Sequence, residues 1–101
     1  MTGKEKEIME WAIAHYGKET QLIVCIEELS ELIKELTKHL RGGDSLLGLT
    51  EEAADVSIVL DEIMLIFGIR AGVESVRRDK LIRLMYRIER DKLHAEQEQP
   101  L

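Results

Sequence analysis

Leu22-Ile23-Val24-Cys25-Ile26-Glu27-Glu28-Leu29-Ser30-Glu31-Leu32-Ile33 is the stretch on which the fold turns. Within residues 18–41, Leu22, Ile26, Leu29, Ile33, Leu36 and Leu40 recur at alternating spacings of four and three. That is a helical seam of the kind that closes a bundle or a subunit interface. Glu28 and Glu31 stand three apart, so one side of the helix carries both carboxylates. Glu28 lies just beyond the edge of the apolar arc, and Glu31 lies further round. Read alone, Glu27, Glu31, Lys34, Glu35 and Lys38 also make an ordinary solvated face with ion pairs along the helix.

The second acidic pair gives the first its weight. After Arg41-Gly42-Gly43-Asp44-Ser45, where glycine suits a helix end, and a short apolar connector at 46–49, Thr50 reads as the N-cap of a helix over 51–67. Its apolar residues cover nearly the whole circumference, so a central, buried helix is expected. Glu52, Asp55 and Glu62 nevertheless fall on or beside the side of Val59, Ile63 and Ile66. Glu52 alone could serve the helix start, but that reading weakens at Asp55 and fails at Glu62. Buried carboxylates are costly unless paired, hydrogen-bonded or bound to a metal. If the helices pack antiparallel, Glu28, Glu31, Glu52 and Asp55 meet. A hard divalent cation is then the natural partner for the four charges.

Two further helices complete the chain. Residues 4–16 carry Ile8, Trp11, Ala12 and His15 on one face, with Thr2 or Gly3 to start the helix and Gly17 to end it. Trp11 is a packing residue or a platform for a nucleobase. Residues 73 to about 95 form a fourth helix striped by Val73, Leu81, Leu84, Met85 and Ile88. Lys80, Arg83 and Arg87 run beside the stripe, with Arg77, Arg78 and Arg90 nearby. They pair with Asp79, Glu89 and Asp91 as a solvated face, or meet a phosphate chain. The polar tail 96–101, including Pro100, is expected to fray.

A chain of 101 residues with a formal charge of −6 reads as one all-α domain, 1–101 with its core at about 4–95, in a four-helix bundle-like, oligomeric arrangement. The acidic balance argues against general nucleic-acid binding. Cys25 is the only cysteine, which excludes an internal disulfide and a cysteine-based zinc site and fits a reducing cytoplasm. Residues 1–11 do not read as a signal peptide, and no apolar run approaches the roughly 20 residues a membrane span needs. His15, His39 and His94 lack metal spacing, and no Gly-rich phosphate loop is present.

Glu28-x-x-Glu31, a gap of about twenty residues, then Glu52-x-x-Asp55 resembles the signature of the all-α nucleoside triphosphate pyrophosphohydrolases. That superfamily includes the MazG-like enzymes, the dimeric dUTPases and dCTPases, and phosphoribosyl-ATP pyrophosphohydrolase. The likeness extends through Ile26-Glu27-Glu28-Leu29-Ser30-Glu31-Leu32 and Glu51-Glu52-Ala53-Ala54-Asp55-Val56-Ser57-Ile58-Val59-Leu60, and spans about residues 18–90. The MazG-like branch fits best. Ile26 stands where the lysine of phosphoribosyl-ATP pyrophosphohydrolases precedes the first motif.

The resemblance implies a Mg²⁺-dependent enzyme, with Mn²⁺ as a substitute. It would hydrolyse nucleoside triphosphates between the α- and β-phosphates to a monophosphate and pyrophosphate, as nucleotide-pool house-cleaning. Glu28, Glu31, Glu52 and Asp55 would hold the metal, with Glu31 as general base. Lys80, Arg83 and Arg87 are candidate phosphate contacts, and Gln21 or Trp11 candidate base contacts. A homodimer or homotetramer is expected, with neither nucleic acid nor membrane as a partner. Two alternatives stand beside this reading: phosphoribosyl-ATP hydrolysis, and a non-enzymatic helical oligomerisation or regulatory module whose carboxylates pair with Lys and Arg.

Overall fold

The computed structural model describes residues 1–43 and 46–98. It is all-helical: α1 spans Gly3–Tyr16, α2 Lys18–Leu40, α3 Leu47–Phe67 and α4 Arg70–Glu98. The chain divides into two units, Met1–Gly68 and Ile69–Leu101, each described by itself.

In the first unit, local chemistry fixes the helix ends. Thr2 and Glu5 form a capping box: the Glu5 amide donates to Thr2 Oγ1 and the Thr2 amide donates to Glu5 Oε2, both at 3.1 Å. These bonds from Thr2 favour the ionised carboxylate and lower the Glu5 pKa. Gly17 alone separates α1 from α2. Its φ of 92° and ψ of 150° lie in a region that residues with a Cβ avoid. At the far end of α3, Gly68 takes the left-handed conformation and its amide donates to the Met64 carbonyl.

α2 and α3 run antiparallel. Cys25 meets Val59, where its thiol donates to the Val59 carbonyl at 3.6 Å. Glu28 lies against Asp55, and Glu35 lies against Gly48. Gly48 allows that last approach, because a Cβ there would stand 2.8 Å from Glu35 Oε2. α1 packs on both α2 and α3. Among the described residues the buried apolar side chains are Met9, Cys25, Val56 and Val59.

Two expectations need correction. α3 begins at Leu47, not after Thr50; the Thr50 hydroxyl donates back to the Leu46 carbonyl at 2.7 Å, so it lies inside the helix and caps nothing. The Leu-Leu-Gly-Leu connector continues as helix because nothing in it breaks one. α3 is not wrapped by the helices of the first unit, since Ile58, Leu60 and Phe67 are exposed. The α2 seam, which suited a bundle or a subunit interface, is split: Leu22 and Leu29 are half-buried. Ile26, Ile33 and Leu40 are 65%, 64% and 85% exposed, whereas Gln21 and Cys25 are buried. The α2 face in contact is therefore the one carrying Gln21, Cys25, Glu28 and Glu35.

The second unit is α4. It continues through Glu98, beyond the expected end near 95, while Pro100 and the rest of the expected frayed tail, 99–101, lie outside the described residues, as do Asp44 and Ser45. No helix of the described chain is long and apolar enough to cross a membrane.

Candidate metal centre

Antiparallel packing sets the spacing of the acidic pairs. Glu28 comes from α2, and Glu52 and Asp55 come from successive turns of α3. Each offers a carboxylate oxygen, and the three oxygens lie within 4.8 Å of one another. Glu28 and Glu52 are half-buried, while Asp55 is exposed.

Burial and crowding disfavour charge here. Loss of water pushes the Glu28 carboxyl above the usual glutamate range, helped by the Asp55 charge and by a proton that Glu28 can donate to Asp55. Glu52 is pushed up by burial first, then by Asp55, Glu31 and Glu35. Glu52 Oε2 is shielded from solvent without a hydrogen-bond partner. Among the described residues none of the three joins an ion pair; ion pairs elsewhere in the described residues include Lys4–Glu7, Lys6–Glu10, Lys38–Glu35 and Arg90–Asp91. A cluster of hard oxygen donors, crowded and without a counter-cation, fits Mg²⁺ or Mn²⁺.

Glu31 is exposed one turn beyond Glu28. It is outside the three-residue group, yet its charge acts on both Glu28 and Glu52. Ser30, between the two glutamates, turns its hydroxyl to the Ile26 carbonyl at 2.9 Å and contributes nothing to the cluster. Glu35, expected on the solvated face, does pair with Lys38 at 3.2 Å, but its side chain is only 19% exposed and it bears on Glu52.

The other expected site residues are outside the three-residue group. Gln21 is buried on α2, and Trp11 is 77% exposed on α1, in a shallow groove with Ile8, Ala12, His15 and Tyr16. Lys80, Arg83 and Arg87 belong to the second unit and are exposed. Lys80 and Arg87 flank an open apolar stripe of Val73, Val76 and Leu84 on α4.

Glu62 stands outside the ligand set that the resemblance implies. It is 6% exposed, its Oε2 has no partner, and burial raises its pKa. It shares a cavity with Glu28 and Asp55. Burial and then the Glu62 charge push the Cys25 thiol up, so Cys25 is a packing residue rather than an activated nucleophile.

No family model, curated protein or solved structure matches this chain. A functional reading therefore rests on the residue pattern and the geometry of the cluster.

Proposed function

We propose that this chain is a Mg²⁺-dependent nucleoside triphosphate pyrophosphohydrolase of the all-α, MazG-like kind. The observation that carries the reading is the group of Glu28, Glu52 and Asp55, with ligand oxygens within 4.8 Å and drawn from two helices. The lack of an ion-paired Lys or Arg on these three residues among the described ones favours it over a module held together by salt bridges.

In this reading Glu28, Glu52 and Asp55 bind the cation, with Glu31 completing the set. A Mg²⁺ ion held by these carboxylates would supply positive charge to the phosphate oxygens. Glu31, exposed at the edge of the cluster, accepts the proton of the attacking water as general base. That water bonds to the α-phosphorus, the bridging oxygen leaves with the β-phosphate, and the products are a nucleoside monophosphate and pyrophosphate. The exposed part of the α2 seam favours a homodimer or homotetramer, and a reducing cytoplasm suits the lone cysteine.

The test is pyrophosphate release from canonical and damaged nucleoside triphosphates with Mg²⁺. Glu28→Gln and Asp55→Asn should each lower kcat/KM by roughly two orders of magnitude or more. Activity that survives both substitutions, or release of phosphate instead of pyrophosphate, overturns the assignment. Turnover of phosphoribosyl-ATP alone would move it to that branch.

A further inference from the structure

A cavity of about 180 Å³ opens between α2 and α3, lined by Val24, Glu28, Asp55, Ile58, Val59 and Glu62. Glu28 and Asp55 belong to the metal cluster. Val24, Ile58 and Val59 supply apolar walls. Glu62 adds a polar group that no other feature explains. It is more than nine-tenths buried, and its Oε2 has no partner. Its neighbour Cys25 does not satisfy it, because that thiol is donated to the Val59 carbonyl.

Small-molecule sites combine apolar walls with one or two placed polar groups that fix orientation and select the ligand. An unpaired buried acceptor selects a ligand that brings a donor. Asp55 and Glu62 are seven residues apart on one helix, a rise of about 10 Å. That is comparable to the reach from an α-phosphate to the far edge of the base in a nucleotide.

Resting on the hydrolase reading above, we propose that this cavity seats the nucleobase and that Glu62 selects bases presenting the exocyclic amino group of cytosine or adenine. The amino N–H donates to the Glu62 carboxyl, as it does where acidic side chains read cytosine in nucleic acids. The terminal torsion of glutamate is soft, so the carboxyl turns its shielded oxygen toward an arriving donor. Uracil and thymine present the acceptor O4 where cytosine presents its amino donor, so at that position they offer the Glu62 carboxyl no N–H. Val24, Ile58 and Val59 pack against the ring without distinguishing bases.

The experiment measures kcat/KM for CTP, ATP, UTP and dTTP with Mg²⁺, and calorimetric binding of CMP, AMP, UMP and dTMP without metal. The protein is wild type, Glu62→Gln and Glu62→Leu. Wild type should favour the amino bases by about tenfold or more in both assays. Glu62→Leu should bring the four within about threefold by losing CTP and ATP while keeping UTP. Glu62→Gln, which keeps the shape and adds a donor, should gain on UTP and dTTP. A preference unchanged in both variants, or an equal loss on all four nucleotides, overturns the assignment of Glu62. If wild type releases no pyrophosphate from any nucleotide, the hydrolase reading falls. The monophosphate titrations then decide the base seat: the same preference upholds it, and equal or absent binding removes it.

Discussion

Glu62, Glu28 and Glu52 all hold their protons more tightly in the folded chain than in water, chiefly because burial penalises the charged form. A raised folded pKa means that the native state binds protons the unfolded state has already released. The stability these groups contribute is then present below the unfolded pKa and lost as pH rises through the folded one. Thermal melts in EDTA should show the melting temperature falling from about pH 5 to pH 7.5. Glu5 has the opposite sign, since Thr2 lowers its pKa, and its contribution is lost only at more acid pH. With Mg²⁺ present the trend should weaken or reverse, because the deprotonated cluster is the form that binds the cation. Glu62→Gln replaces a buried group of unfavourable charge with a neutral one of the same shape. It should raise stability at pH 7.5 by on the order of 1 kcal/mol, a shift of several degrees. A lower melting temperature would show that Glu62 has a partner the free chain hides.

At the level of elements, the start of α1, marked by a capping side chain, was legible, and the uncapped start of α3 was not. Thr2 with Glu5, and Gly17 after Tyr16, announce the two ends of α1. Thr2→Ala should cost about 1 kcal/mol and loosen the first turn of α1 in hydrogen exchange. Gly17→Ala should cost about 1–3 kcal/mol, because alanine must adopt a backbone conformation it resists; a neutral result would mean that the α1–α2 joint bends without strain. α3 begins at Leu47 with no capping side chain, so nothing in Leu46–Leu49 distinguished loop from helix. Glu28, Glu52 and Asp55 were readable from their spacing of three, but which face of α2 turns inward was not. The seam of Leu22, Ile26 and Ile33 suited either a bundle or a subunit interface, and Cys25 and Glu28 are the α2 residues that meet Val59 and Asp55. Periodicity also placed Lys80, Arg83 and Arg87 on one helix, but spacing along a helix carries no information on distance to another.

At the scale of the whole molecule, the exposed seam on α2 is the largest unresolved demand of the sequence. Ile26, Ile33, Leu36 and Leu40 are all exposed, as are Ile58, Leu60 and Phe67 on α3. Apolar surface of this extent is usually covered by another chain. Ile33→Lys should shift the protein toward monomer in analytical ultracentrifugation while its circular dichroism stays helical. An oligomer indifferent to that change would place the interface on another face. The proposed function requires that the carboxylates of α2 and α3 form a cation site. Calorimetric titration of Mg²⁺ and Mn²⁺ into metal-free protein at neutral pH, for wild type, Glu28→Gln and Asp55→Asn, tests it most directly. Saturable binding in wild type that either substitution weakens by about tenfold or more is the expected result. No binding to folded wild-type protein, or binding unchanged in both variants, would contradict it.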